Sequence, residues 1–220
     1  MIEYTNEDCM IGMARYPDNH FDLAIVDPPY RETNQPTKEM RNKTNGKMKE
    51  FGKPPNKEYF QELIRISKNQ IIWGANNFIP LLEATNCMLF WYKRNPVENY
   101  SDGEFAWTSF SSVSRCIPID HFGAHTADQD KIHPTQKPVA LYKWLLTNYA
   151  KPGDKILDTH VGSASSLIAC YDMGFDAVGF ELDPDYYKAS KQRLDDFIAQ
   201  PRLEEACNKE LEQIQLMEVE

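Results

Sequence analysis

The sequence KILDTHVGSASSLIACYDMGFDAVGFELD, which runs from Lys155 to Asp183, decides the fold class. Its pattern predicts a strand, a turn at Gly162, a helix, and a second strand that ends at Glu181. A glycine lets the backbone turn sharply and approach a ligand closely, and the helix that follows offers free N–H groups. Glu181 lies about 20 residues beyond Gly162, where an acid accepts hydrogen bonds from ribose hydroxyls in doubly wound nucleotide-binding folds. The stretch therefore predicts a nucleotide-type site in an α/β protein.

The same stretch restricts the ligand. Gly162 is followed by Ser163, Ala164 and Ser165, so the three-glycine fingerprint of dinucleotide-binding folds is incomplete. A pyrophosphate cradle is poorly supported, whereas an adenosine without phosphates fits the pattern. A tight turn with a purely structural role is the alternative interpretation.

A second motif follows an apolar run near the N-terminus. FDLAIV, from Phe21 to Val26, is typical of a buried parallel strand and stops at Asp27-Pro28-Pro29-Tyr30. A motif in this place projects from the carboxyl edge of the sheet, where such folds bind ligands. The prolines fix φ and remove two backbone donors. The result is a carboxylate, a rigid carbonyl and an aromatic face, which together suit the exocyclic amine of a nucleobase. A Pro-Pro turn that merely ends the strand is the alternative.

Strands alternate with helices along most of the chain. We predict helices over Glu58–Ser67, Val139–Tyr149 and Asp185–Ile198, separated by short apolar strands. Such alternation favours a mostly parallel sheet with helices on both faces. The length of 220 residues suits one α/β domain, which we assign to residues 1–200, followed by an acidic C-terminal helix over 201–220.

Composition and charge exclude several classes of protein. The net charge of −9 argues against coating of nucleic acid or membrane through bulk charge, and 12% aromatic residues argue against an acidic disordered chain. The segment 31–57 is an exception, because it holds eight basic and three acidic residues. We find no signal peptide and no apolar run of about 18 residues, and expect a cytoplasmic protein without a membrane span. His121 and His125 lack the context of a metal site, so no metal is predicted.

In their order along the chain, these motifs resemble those of the S-adenosylmethionine-dependent amino-group DNA methyltransferases of the DPPY type. The resemblance extends over nearly the whole chain, through EDC, YPDNH, FDLAIVDPPY, KIHPTQKP, ILDTHVGSASS and GFELD. The catalytic motif precedes the cofactor motif, as in the circularly permuted members of this family, and the chain looks most like small phage or prophage adenine methyltransferases. The resemblance implies a Rossmann-like methyltransferase fold with a mostly parallel, seven-stranded sheet.

The resemblance also implies roles for individual residues. Asp27 and the Pro28 carbonyl would hold the amine, Pro29 would fix the loop, and Tyr30 would stack on a flipped base. The implied cofactor-binding residues are Asp8, Asp27, His133, Thr135, Lys137, Asp158, His160, Gly162, Ser163 and Glu181. Two departures from the family pattern are Thr159-His160, where an aromatic residue is usual, and Ala164, where a second glycine is usual.

Double-stranded DNA is the implied partner. We expect the basic segment 31–57 to lie on the duplex, and the segment 94–112 to be a small target-recognition segment. The candidate DNA-binding residues are Arg31, Lys38, Arg41, Lys43, Lys47, Lys49, Lys53 and Arg94. The expected assembly is a monomer or a homodimer.

The expected reaction is methylation of the N6 amine of adenine in DNA, in a restriction-modification or phage setting. Asp27, rather than a serine, before the double proline favours adenine. Cytosine-N4 methylation is the first alternative. RNA methylation and a catalytically silent binding subunit are the others.

Overall fold

The computed structural model of the chain describes residues 1–30, 53–94, 101–120, 132–133 and 135–200. These ranges contain eight strands and five α-helices. The strands are β1 (Ile2–Asn6), β2 (Phe21–Val26), β3 (Ser67–Trp73), β4 (Met88–Tyr92), β5 (Gly103–Thr108), β6 (Arg115–Pro118), β7 (Lys155–Asp158) and β8 (Asp176–Glu181). The helices are α1 (Cys9–Met13), α2 (Lys57–Ile66), α3 (Val139–Tyr149), α4 (Ser165–Met173) and α5 (Pro184–Ala199).

The strands form one mixed sheet in the order β1-β8-β7-β2-β3-β5-β4-β6. Strand β5 runs antiparallel to both of its neighbours, and the other pairings within the described ranges are parallel. The prediction of seven strands is wrong, because the described residues form eight. The edge strand β6 is the strand that is least evident in the sequence. Since three of the four side chains of β6 are exposed, no hydrophobic alternation marks it in the sequence.

Helices cover both faces of the sheet, as predicted. Successive side chains of a strand point to opposite faces, so Ile71 and Trp73 of β3 belong to one apolar cluster and Ile72 belongs to the other. The first cluster includes residues of α3, α4 and α5, whereas the second includes Met13 of α1 and Leu63 of α2.

Side-chain caps set the beginnings of two helices. The Asn56 side chain accepts a hydrogen bond from the backbone N–H of Tyr59 (3.1 Å) at the start of α2. The Asp183 side chain accepts from the N–H groups of Asp185 (2.8 Å) and Tyr186 (3.1 Å) at the start of α5. Both are ordinary N-cap arrangements, in which a side-chain oxygen satisfies free backbone donors.

The sheet order brings the two sequence motifs together. Strand β2 lies between β3 and β7, with Leu23 opposite Ile156 and Ala24 opposite Leu157. Because these strands are parallel, the residues that follow β2 and β7 meet at the same carboxyl edge. No helix in the described part of the chain is long and apolar enough to cross a membrane.

The amphipathic character of α2 gives a stability prediction. Leu63 is 0% exposed and its neighbour Ile64 is 45% exposed. We expect Leu63→Ala to lower the free energy of unfolding by about 2–5 kcal/mol, because it leaves a cavity between α2 and the sheet. Ile64→Ala is the matched control on the same helix and should change it by less than about 1 kcal/mol. Urea unfolding of both variants measures the difference, and equal costs would contradict the assignment of the buried face.

Candidate active site

A cleft of about 1430 Å³ opens at the carboxyl edge of the sheet. It is lined by residues from both sequence motifs and from the HPTQKP segment. Of the residues predicted to be catalytic or to bind the cofactor, those that line it are Asp8, Asp27, Pro28, Pro29, Tyr30, His133, Thr135, Lys137, His160, Gly162, Ser163 and Glu181. Asp158 lies beneath the cleft and does not line it. The structure thus brings together two sets of residues that are more than a hundred positions apart in the sequence.

The glycine turn is held by the acid at the end of β8. Gly162 has a φ of 56°, and its N–H donates to Oε2 of Glu181 at 2.9 Å. Oε1 of Glu181 accepts from the N–H of Asp183 at 2.9 Å. Each carboxylate oxygen can accept more than one hydrogen bond, so Glu181 retains acceptor capacity toward the cleft. Burial raises the pKa of Glu181.

Ala164 adopts a glycine-like conformation in the same turn. Its φ is 64°, a left-handed conformation that costs a residue with a side chain roughly 1–2 kcal/mol. Its N–H donates to the carbonyl of Val161 at 3.1 Å. Ala164 thus adopts in this turn a left-handed conformation that glycine adopts more readily.

Asp158 supports the turn from inside the protein. It is buried at the end of β7 and accepts hydrogen bonds from the Ser166 hydroxyl (2.5 Å) and the His160 N–H (3.0 Å). Burial raises the pKa of Asp158 to about 7. Its carboxyl group is thus used to connect β7 with the following turn and helix.

Asp27 belongs to a buried cluster of charges. The Tyr30 hydroxyl donates to Oδ1 of Asp27, and the Lys137 ammonium donates to Oδ2. Lys137 also lies 2.9 Å from Oε2 of Glu104, whose other oxygen accepts from the Lys93 ammonium at 2.5 Å. The cluster contains two carboxylates and two ammonium groups, so its charges balance.

The pKa shifts in this cluster follow from its ion pairs. Burial alone would raise the pKa of Glu104, but the ammonium groups of Lys137 and Lys93 outweigh it and lower the pKa to about 2. Burial alone would lower the pKa of Lys137, but the carboxylates of Asp27 and Glu104 raise it above its usual value. Glu104 and Lys137 are therefore both charged at neutral pH.

Glu104 was missed by the sequence analysis. It is the second residue of β5, and this strand begins at the edge where the parallel strands end, because it runs in the opposite direction. No motif surrounds it in the sequence. A buried acid next to the cleft could have been inferred only from knowledge of the antiparallel pairing.

Gly74 makes room for the ring of Tyr30. Gly74 has a φ of 69°, and a Cβ atom built there would lie 2.1 Å from Cε1 of Tyr30. The ring of Phe78 meets Tyr30 edge-on with a centroid distance of 6.2 Å. Burial and the Asp27 carboxylate raise the pKa of Tyr30, which keeps its hydroxyl protonated as a donor.

Two neutral histidines flank the glycine turn. Burial and the charge of Lys137 lower the pKa of His133 to about 4, and burial lowers the pKa of His160 to about 4. His160 Nδ1 lies 2.9 Å from the Thr159 hydroxyl, which lies 2.6 Å from the Tyr59 hydroxyl. The Tyr59 ring meets His160 edge-on at 5.4 Å. Helix α2 thus places the Tyr59 ring beside the turn.

The candidate DNA-binding residues are described only in part. Lys53 lines the cleft, and Arg94 forms an ion pair with Asp120 at 3.4 Å. In the segment 94–112, residues 103–108 form β5 of the central sheet. Six candidates (Arg31, Lys38, Arg41, Lys43, Lys47 and Lys49), the predicted helix 201–220, and His121 and His125 lie outside the described residues.

Comparison with known proteins agrees with this geometry. Residues 90–192 match the model of the N6/N4 methyltransferase family, which is described as DNA methylase. The chain is 24% identical over 207 residues to YubD of Escherichia coli strain K12, a protein with the provisional description of a methylase. That match covers 88% of this chain and 90% of YubD.

Solved structures share the fold. The M1.HpyAVI–SAM complex has a TM-score of 0.61 at 19% identity, covering 89% of this chain and 100% of the other. PvuII DNA methyltransferase, which is described as cytosine-N4-specific, has a TM-score of 0.60 at 12% identity. That superposition covers 89% of this chain and 90% of the PvuII enzyme. The chain therefore has the Rossmann-like fold of methyltransferases.

The contact between Gly74 and Tyr30 can be tested by measuring the stability of glycine variants. We expect Gly74→Ala to lower the free energy of unfolding by about 1–3 kcal/mol more than Gly153→Ala, because it adds a steric overlap to the backbone strain. Gly153 is a matched control, since its φ is 90° and a Cβ there would meet no atom within 4 Å. Urea unfolding provides the measurement, and equal costs would mean that the Tyr30 ring is free to move away.

Burial of Asp158 predicts a pH dependence of stability. Its pKa is raised from an ordinary 3.8 to about 7, so the folded state binds this proton more tightly than the unfolded state. The free energy of unfolding contributed by Asp158 should fall as pH rises from about 4 to about 7 and be constant above that, by about 1.4 kcal/mol per pKa unit. Asp158→Asn cannot titrate and should become more stable relative to the wild type across that interval. A difference that is constant from pH 4 to 8 would contradict the assignment.

Proposed function

We propose that this chain, which is related to the N6/N4 DNA methylases, is an S-adenosylmethionine-dependent DNA methyltransferase that methylates the N6 amine of adenine. The observation that carries the proposal is the meeting of two sites in one cleft. Asp27, Pro28 and Tyr30 line the same cleft as the Gly162 turn and Glu181. We assign the catalytic domain to residues 1–200.

The chemistry of the cleft suits the proposed cofactor. Glu181 offers carboxylate oxygens for ribose hydroxyls, and its hydrogen bonds to Gly162 and Asp183 hold those oxygens in place. Asp8 caps α1 at the far end of the cleft by accepting from the N–H of Met10 at 2.8 Å, and would meet the adenine of the cofactor. We propose that His133, Thr135, Lys137, His160 and Ser163 complete this side, with Asp158 supporting the turn. When bound, S-adenosylmethionine supplies a methyl group that is already activated on a sulfonium.

The task of the protein residues is to present a nitrogen lone pair. The lone pair of an aryl amine is delocalised into its ring, so the amine is a weak nucleophile. Asp27 and the Pro28 carbonyl would each accept one hydrogen bond from the amine. These two hydrogen bonds favour a tetrahedral nitrogen with its lone pair directed into the cleft. Tyr30 would stack on the base and hold its plane. Asp27 acts here as an acceptor of hydrogen bonds, and one amine proton would leave the nitrogen after the methyl group has been transferred. The mechanism needs no covalent intermediate with the protein.

The proposal also specifies which base is methylated. Asp27 before the double proline favours adenine, whereas the fold shared with the cytosine-N4-specific PvuII enzyme keeps cytosine as the second candidate. Both bases carry an exocyclic amine that the same acceptors could hold. The choice therefore needs a direct identification of the product.

Duplex DNA is the proposed partner, and the target base would leave the stack to reach Asp27. Lys53, which belongs to the basic segment 31–57, lines the cleft, and this supports the proposed contact between the segment and the duplex. Phosphate contacts from such residues would position the DNA without reading its sequence.

The central test is transfer of a labelled methyl group from S-adenosylmethionine to DNA. We expect Asp27→Ala to lower the rate of transfer by at least about 100-fold while binding of S-adenosylmethionine is retained. Asp22→Ala is the matched control, because Asp22 lies on β2, the strand that precedes Asp27, pairs with Lys68 at 2.6 Å, and does not line the cleft. An active Asp27→Ala variant would contradict the proposed role.

Digestion of the product to nucleosides, followed by mass spectrometry, identifies the base. N6-methyladenine is the expected result. Detection of N4-methylcytosine would support the proposed reaction but change the assigned base to cytosine. Methyl label confined to RNA substrates would overturn the assignment of DNA as the substrate.

A further inference from the structure

We propose that Glu104 is a positioning residue for the catalytic carboxylate, because it holds the Lys137 ammonium between two acids and so fixes the side chain of Asp27. The inference rests on the proposed methyltransferase function. It adds to that function a residue that lies outside the motifs and on a different part of the sheet.

The contacts of Lys137 define this arrangement. Its side chain is 3% exposed, and its ammonium has three N–H donors. Their polar neighbours are Oδ2 of Asp27, Oε2 of Glu104 at 2.9 Å, and the Tyr30 hydroxyl at 3.4 Å. The ring of Trp73 lies below, with its centroid 5.6 Å from the ammonium. The ammonium thus has a defined place, and two carboxylates determine it.

Charge balance explains why the second carboxylate is needed. A buried ammonium with one acid is costly, since its desolvation is only partly offset by a single ion pair. The methyl-transfer step also places positive charge on the amine nitrogen that Asp27 would hold. An unbalanced ammonium next to that nitrogen would oppose the step, because like charges repel strongly in a site of low dielectric. Glu104 offsets the charge of Lys137, and Lys93 in turn pairs with Glu104 toward the cleft opening.

Loss of the Glu104 charge should act through Asp27. Lys137 would then have Asp27 as its only close carboxylate among the described residues and would pair with it more tightly. Oδ1 of Asp27 is already occupied by the Tyr30 hydroxyl. The carboxylate would therefore be less available to the amine, so the expected effect is on the transfer step and not on cofactor binding.

The test compares Glu104→Gln with the wild type in methyl transfer to DNA. We expect kcat to fall by about 10- to 100-fold, as for a misplaced catalytic group, while the Kd for S-adenosylmethionine is unchanged. The matched control is Glu83→Gln, which makes the same charge change at an exposed residue that does not line the cleft. This control should retain the wild-type kcat and Kd.

The pH profile of kcat separates positioning from a merely structural role. The groups that face Lys137 are Asp27 after β2, Tyr30, Glu104 on β5, Tyr142 on α3, and His133. In Glu104→Gln the ammonium loses one stabilising anion, so it should release its proton at a lower pH. A neutral Lys137 would no longer hold the Asp27 carboxylate, so kcat should decline when this proton is lost. The basic limb of the profile should therefore lie at lower pH than in the wild type. Glu104→Asp retains the anion and should keep the wild-type limb, with a kcat between those of the wild type and Glu104→Gln.

The outcomes distinguish this inference from the proposed function. A wild-type kcat and an unmoved basic limb in Glu104→Gln overturn the inference while methyl transfer by the wild type still stands. A wild type that transfers no methyl group to DNA overturns the proposed function itself. If Glu104→Gln fails to fold, the pH profile of Glu104→Asp is the deciding measurement. Because this variant retains the negative charge, a basic limb displaced to lower pH would overturn the inference.

Discussion

The burial of the Lys137 ammonium is the constraint on which the site depends. Its partners come from two distant parts of the chain, Asp27 after β2 and Glu104 on β5, while Lys137 itself precedes α3. A buried ammonium is stable only while its acids remain in place. The three backbone segments are therefore held against each other at the carboxyl edge of the sheet. The Tyr30 ring and the loop that bears Asp27 adopt their positions within this frame.

Local chemistry explains which parts of the site could be predicted from the sequence. Residues that follow an apolar strand must lie at its carboxyl end, so the pattern alone places Asp27 and Gly162 at one edge of a parallel sheet. The distance from Gly162 to Glu181 is set by one helix and one strand, and the hydrogen bond between these residues follows from that geometry. The three predicted helices could also be read from their apolar periodicity, and their observed bounds differ from the expected ones by at most one residue at each end.

The features that could not be predicted from the sequence depend on contacts between residues that are distant along the chain. The place of Glu104 requires knowledge that β5 is antiparallel, and the pattern of Gly103–Thr108 is the same for either direction. The role of Gly74 becomes evident only when the Tyr30 ring is seen against it. Strand β6 pairs with β4 and buries only Ile117 of its four side chains, so its residues carry no hydrophobic alternation. In each of these cases the local structure depends on a contact with a residue that is distant in the sequence.

The position of β2 in the sheet has a consequence for how the protein folds. Leu23 of β2 pairs with Ile156, and Ile2 of β1 pairs with Ala177, so the first two strands of the chain are paired with strands that lie between residues 155 and 181. Such long loops must close before their contacts can stabilise anything, which makes folding slow. The loop that bears Asp27 and the turn at Gly162 cannot meet in a growing chain until β7 has been made. The cleft is therefore assembled only after most of the described residues have been synthesised.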